Sequence, residues 1–192
     1  MTTALKNQIN FLREAEKLKA VTRANRTVDG RLENSAEHSW HVALMAMLLE
    51  EHASGDLDML KVVKMLLVHD LVEIDAGDTW LYAEHRESSR TVEAETEAAN
   101  RLFSLLPRDQ RAEYLDLWHD FENRHSEEAK FASAIDGIQP LLNHLLTGKA
   151  EDGVVSVEKV RGKKGYIENH APKLWGLVEE LIEESVEKGL YV

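Results

Sequence analysis

The sequence predicts an all-α fold, and three observations carry the prediction. Apolar residues recur at helical rather than alternating spacing along almost the whole chain. Glycine and proline are scarce, 10 and 3 in 192 residues, and most fall between the periodic segments. Residues that start and stop helices bracket those segments.

In chain order, Leu5, Ile9, Leu12, Ala15 and Leu18 trace one face of a first helix. The polar stretch 22–34, with Gly30 and several arginines, connects it to a second helix starting near Ser35. Asp56 is placed to cap a third helix running from Leu57 to about Ile74 and stopping around Gly77. A loop with Trp80, Leu81 and Tyr82 follows, then a charged helix from about Glu87 to Leu106, ended by Pro107. A further helix spans Arg108 to Asn123, and Ser126 caps a sixth that reaches Thr147, with Gly148 as its stop. Ser156 opens a seventh, and Pro172, suited to a first helical turn, opens a last one that ends at Gly189. No segment alternates as a strand does. The expectation is seven to eight helices in a single domain, residues 1–192, without internal repeats.

Composition narrows the function. The chain has 23 Lys+Arg against 35 Asp+Glu, a net charge of −12, and so lacks the basic footprint of a nucleic-acid polymer binder. A small phosphate substrate would need a local cation, whether a metal, an arginine or both. The absence of cysteine excludes disulfides, thiolate nucleophiles and sulfur-based zinc sites. No window approaches a membrane span, and a cytoplasmic, reducing location is expected.

The third predicted helix carries the chemistry. Val62 to Val68 is almost wholly apolar, which marks a buried helix, yet His69, Asp70 and Glu73 follow directly. An ionised carboxylate buried without a partner costs several kcal/mol, so a compensating cation is required there. The second helix opens with His38 and His41, one turn apart, and spacing alone does not choose between them as ligands. In the sixth helix Asp136 interrupts the apolar run Phe131–Leu142, four residues before Pro140, where a kink is expected. Two imidazoles and two carboxylates without sulfur suit Mn, Fe, Co, Ni or Zn better than Mg. Glu73, one turn past the doublet, is placed to orient or deprotonate a water. Arg23 would supply further positive charge for a phosphate, although Arg26 and Arg31 share its loop.

His38, the His69-Asp70 doublet and the distant Asp136, all on helices, resemble the HD-domain metal phosphohydrolases. The runs Glu33–Ser39 and His69–Asp78 narrow the resemblance to the 5′-deoxynucleotidase (YfbR-like) branch, and it extends from about Leu18 to Asn143. The resemblance implies an HD-domain helical bundle, commonly a homodimer, holding one divalent metal ion. It implies hydrolysis of nucleoside 5′-monophosphates, deoxyribose preferred, to nucleoside and phosphate. By position it makes His38, His69, Asp70 and Asp136 the metal ligands and Glu73 the residue that activates water. Arg23 would orient the phosphate, Asp78 would face the substrate, and Asn123 and Arg124 would shape the nucleotide pocket. One departure stands out: the branch has a bulky aromatic directly after the arginine, expected to crowd a ribose 2′-hydroxyl, and here that residue is Ala24. Trp80 and Tyr82 differ too and offer stacking surfaces.

Two alternatives follow from the same residues. A phosphodiester or polyphosphate hydrolase of this superfamily would usually need a second metal, which stoichiometry would reveal. A non-catalytic helical scaffold that keeps the site for stability would have no use for Glu73.

Overall fold

The computed structural model describes residues 1–79, 81–82, 89–149 and 155–192. Its helices are α1 (Thr3–Ala15), α2 (Ser35–Leu48), α3 (Met59–Val68), α4 (Glu73–Ala76), α5 (Ser89–Phe103), α6 (Arg108–Asn123), α7 (Glu127–Thr147), α8 (Val157–Lys164), α9 (Tyr166–His170) and α10 (Pro172–Glu187). The fold is all-α apart from one small hairpin, as predicted.

That hairpin corrects the reading of 22–34 as a plain connection. Strand β1 (Thr22–Arg26) pairs antiparallel with β2 (Leu32–Asn34), with a shift of register between the Thr22–Asn34 and Arg26–Leu32 pairs. Gly30 closes the turn at φ +88°, a backbone region that other residues rarely adopt, and its N–H donates to the carbonyl of Thr27. Neither strand has an apolar face to alternate, so no strand pattern was visible.

Asn34 ends β2 and also caps α2. Its Oδ1 accepts from the Glu37 N–H at 3.0 Å, while a Glu37 carboxylate oxygen accepts from the Asn34 N–H at 3.2 Å. This reciprocal box stabilises the helix start by about 1 kcal/mol and fixes where His38 begins its turn.

The third predicted helix is in fact three pieces. Asp58, not Asp56, caps α3, its carboxylate accepting from the Lys61 N–H. After Val68 the chain tightens into a 3₁₀ segment, His69–Val72, then relaxes into the single turn of α4. Asp70 in this segment and Glu73 at the start of α4 both reach Arg23.

The α1 face also differs from expectation. Phe11 and Leu18 are buried, whereas Leu5 and Leu12 are 44% and 61% exposed. Helix α7 forms the centre of the molecule and packs against α2, α3, α6, α9, α10 and β1. Pro140 lies inside it, and the helix continues to Thr147, with Gly148 capping it in an extended rather than left-handed conformation. Gly137 is required there, because a Cβ would collide with the Tyr166 hydroxyl. Two apolar clusters make the core: a larger one around α2, α3, α7 and α10, and a smaller one around α5 and α6. Leu66 belongs to the first and Val68, Leu71 and Val72 to the second, so His69 and Asp70 lie where the chain passes between them.

Candidate metal centre

Three of the four predicted ligands meet at one point: ligand atoms of His38, His69 and Asp136 all lie within 4.8 Å of one another. Helix α2 supplies His38, the 3₁₀ segment His69, and the middle of α7 Asp136. Asp136 Oδ1 lies 2.8 Å from His38 Nε2 and 3.5 Å from His69 Nε2. Asp70 borders the group, its Oδ1 3.1 Å from His69 Nε2 and its Oδ2 3.8 Å from His38 Nε2. Among the described residues no other cluster of this kind occurs.

Both rings turn Nε2 toward that point. His69 Nδ1–H donates to the carbonyl of Leu66 at 2.9 Å, which leaves Nε2 to face the cluster. Nε2 is buried and makes no hydrogen bond of its own. His38 Nδ1 meets Gln139 Oε1 at 3.1 Å, which directs the His38 Nε2 inward as well. His41 lies outside the cluster and meets Gln139 instead, at 3.3 Å.

Beside the cluster Arg23 reaches in from β1. Its Nη1 donates to Asp70 Oδ2 at 2.6 Å and to Glu73 Oε1 at 3.4 Å, and lies 3.7 Å from Asp78 Oδ1; its Nε is 4.0 Å from Glu33 Oε2. The left-handed Gly77 that ends α4 turns the chain so that Asp78 reaches this arginine. Burial opposes the Arg23 charge, but Asp70, Glu73, Asp78 and Asp136 together hold the guanidinium protonated at every accessible pH.

One guanidinium against Asp70, Glu73, Asp78, Asp136 and Glu33 leaves a strong negative excess. Protons take up part of it. Burial works against a charge on His69, yet Asp70 and Asp136 raise its pKa to about 9. Burial and the charge of Asp70 push Glu73 up to about 8, against the opposing pull of Arg23 and Ser35. Asp136 goes the other way: burial opposes its ionisation, and the hydrogen bond of His38 with the charges of both histidines holds it well below the usual carboxylate range. Two inward imidazole nitrogens, an orphaned Nε2 and surplus carboxylates fit a divalent cation, with His38, His69, Asp136 and Asp70 as the residues that could hold it.

A cavity of about 980 Å³ opens from this centre, lined by Arg23, Ala24, Glu73, Asp78, Arg124 and Tyr166 among others. Arg124 ends α6 in a left-handed conformation (φ +51°) and lays its guanidinium 4.1 Å over the Tyr166 ring. Asn123, expected beside it in the pocket, instead donates from Nδ2 to the carbonyl of His119 in its own helix and is not part of the cavity wall. Tyr82 lines the cavity near Lys159, whose Nζ donates to the Tyr82 carbonyl at 3.2 Å. Trp80 lies outside the described residues.

Several contributors left no sign in the local pattern of residues. Ser35 donates to Glu73 Oε2 at 2.5 Å, and no spacing rule links residues 38 positions apart. Glu33 and Gln139 back the histidine from behind. The one available hint of Tyr166 was the glycine directly after Asp136, a mark of close approach.

Comparison with known proteins identifies the relatives of this chain. The HD domain family matches residues 15–175. The 5′-deoxynucleotidase HDDC2 of Homo sapiens is 33% identical over 137 residues, covering 70% of this chain and 65% of that protein. The protein of that name from Xenopus laevis is 30% identical, covering 75% and 71%. Thus the chain spans just under two thirds of the length of the human relative. A crystal structure titled as a predicted metal-dependent phosphohydrolase, from Magnetospirillum magnetotacticum, superposes with a TM-score of 0.91 at 40% identity, covering 99% of this chain and 96% of that one. No described helix is long and apolar enough to cross a membrane. By the length of the family match and the identity to these relatives, the chain belongs to the HD domain family.

Proposed function

We propose that this chain, acting as one domain, is a metal-dependent phosphohydrolase that converts nucleoside 5′-monophosphates to nucleoside and phosphate. The observation that carries the reading is the single His38–His69–Asp136 cluster with Arg23 and Glu73 beside it at the head of a nucleotide-sized cavity. The names of the HDDC2 relatives support the substrate class. Asp70 completes the ligand set. When bound, a divalent ion there supplies Lewis acidity toward a phosphoryl oxygen and makes water a usable nucleophile near neutral pH; Mn, Co, Fe, Ni and Zn suit the donors better than Mg.

The chain's own residues do the rest. Arg23 releases its hold on Asp70 and Glu73 to bind equatorial phosphate oxygens as their charge develops. Glu73 accepts the proton of the attacking water, and the Ser35 hydroxyl keeps its carboxylate in place for that task. Asp78 faces the sugar or leaving group, and Arg124 borders the nucleoside end of the cavity. Ala24 forms part of the wall and leaves space where a larger side chain would exclude a ribose 2′-hydroxyl, so ribo- and deoxyribonucleotides are both substrates. A single metal cluster among the described residues favours monoester over diester chemistry.

The active species is a cytoplasmic homodimer. Supporting this, the outer face of α2 exposes Trp40 (62%), Met47 (60%) and Leu48, and residues 39–49 contain no Asp, Glu, Lys or Arg. Two copies of a chain of net charge −12 can meet there without repulsion. The direct test of function incubates purified protein with ribo- and deoxyribonucleoside 5′-monophosphates and Mn or Co. Phosphate release is expected, and a protein that binds metal yet cleaves no monoester has a different substrate.

A further inference from the structure

The two inward-facing histidines are held from behind by unlike groups. His69 Nδ1–H donates to a helix carbonyl, that of Leu66, which can only accept and cannot turn. His38 Nδ1 faces a side-chain amide, Gln139, whose two ends are chemically opposite. An amide can present either its oxygen or its NH₂ group, so something must fix which end His38 meets.

Glu33 fixes it. This β2 carboxylate is buried, and its Oε1 accepts from Gln139 Nε2 at 3.0 Å and from Asn143 Nδ2 at 3.3 Å. That oxygen accepts from both amides, so the NH₂ end of Gln139 is the end turned toward it. The second N–H of that group points to His41 Nδ1 at 3.3 Å. Both donors are then used, and the oxygen is left for His38. An oxygen only accepts, so the contact with Gln139 keeps a proton on Nδ1, and Nε2 is the nitrogen a cation would take in place of the proton it now gives to Asp136 Oδ1 at 2.8 Å. Turning the amide over would oppose two acceptor oxygens at Glu33. It would also place a donor against His38 Nδ1, leaving the ring proton on Nε2, where it would occupy the cation's position. Gln139 is completely buried and one turn beyond Asp136 on α7, so the same helix delivers a ligand and the group that aims the opposite ligand.

We infer that Gln139, oriented by Glu33, is the positioning residue of the metal centre: it holds a ring proton of His38 on Nδ1, so that Nε2 is the nitrogen that binds a cation. This rests on the metal-centre reading above. Glu33 also lies 4.0 Å from Arg23 Nε, so the anchor of Gln139 touches the arginine proposed to bind phosphate.

The test uses the full chain with Zn²⁺ as probe, its Kd measured by competition with a chromogenic chelator. Gln139→Leu removes the acceptor while keeping most of the volume. Its Kd is expected to rise about 10- to 100-fold, the range for lost outer-shell partners. Glu33→Gln removes no volume and frees the Gln139 amide to turn, so it weakens binding in the same direction. The exchanged pair Glu33→Gln/Gln139→Glu restores an acceptor at His38 and recovers most of the affinity. In ¹⁵N NMR of the Zn²⁺-loaded parent protein, His38 shows a slowly exchanging Nδ1–H. A role in packing alone gives a lower melting temperature in Gln139→Leu with Kd unchanged and no recovery in the exchanged pair; either of these overturns the assignment. If Gln139→Leu does not fold, Glu33→Gln carries the test, and an unchanged Kd there overturns it. Failure of the parent itself to bind Zn²⁺, Mn²⁺ or Co²⁺ overturns the metal-centre reading instead, and this assignment with it.

Discussion

Asp136 and Glu73 are two carboxylates within one site, and their surroundings drive them in opposite directions. Asp136 projects from the middle of α7 between two imidazoles, which hold it ionised far into acid. Glu73 stands at the start of the short α4, buried beside Asp70, and its pKa rises to about 8 even with Arg23 and the Ser35 hydroxyl on it. A group that never protonates suits a permanent ligand. One that protonates near neutrality suits proton transfer. The lesson is that residue type does not assign the roles here. The neighbours do: a pair of imidazoles in one case, and a crowd of anions in the other.

Breaking the α7 side of this comparison has the largest expected effect. Asp136→Asn removes the charge that both histidines face, so metal should be lost and kcat/KM should fall by at least about 10³-fold. Metal analysis of the purified variant beside a phosphate-release assay checks this, and retained stoichiometry would place the ion elsewhere. A smaller effect sharpens the substrate side. Ala24→Trp should cut kcat/KM for ribonucleotides by about 10-fold or more while sparing deoxyribonucleotides, as a steric wall does. Equal losses for both sugars would show that Ala24 does not lie against the 2′ position.

The smallest effect is on stability and follows from the protons held in place of a cation. His69 is raised from 6.5 to about 9 and Glu73 from 4.5 to about 8. For groups raised in the folded state, the stabilisation is complete below the unfolded pKa and is lost as pH climbs through the folded one. Metal-free protein should therefore melt at a lower temperature at pH 9 than at pH 6.5. A saturating divalent ion competes with those same protons, so it should stabilise the protein more at the higher pH. Thermal melts at both pH values, with chelator and with Mn, would show it; a metal-free melting temperature that rises with pH contradicts the placement of these protons.

Local signals were enough to locate much of this molecule. Ser126, Ser156 and Pro172 start helices where capping chemistry places them. His69, Asp70 and Asp136 stood out because each interrupts an apolar run where a charge needs a partner. What escaped was set by packing rather than by spacing. The Thr22–Asn34 hairpin has no buried face to leave a pattern. The helix break at His69 left no mark either, since Val62 to Val72 reads as continuous helix. Leu5 and Leu12 share a helical face with buried residues yet remain outside. The choice of His38 over His41, and the backing of His38 by Gln139 and Glu33, depend on contacts between residues about 100 positions apart.

The division of roles between Asp136 and Glu73 is tested most directly by Glu73→Gln, with metal content and turnover measured on the same sample. Removing the proton acceptor while leaving the ligands should keep about one metal ion per chain and an unchanged or slightly higher melting temperature. Turnover should fall by about 10²- to 10⁴-fold. Loss of the metal together with activity would make Glu73 a ligand, and full activity would remove it from proton transfer altogether.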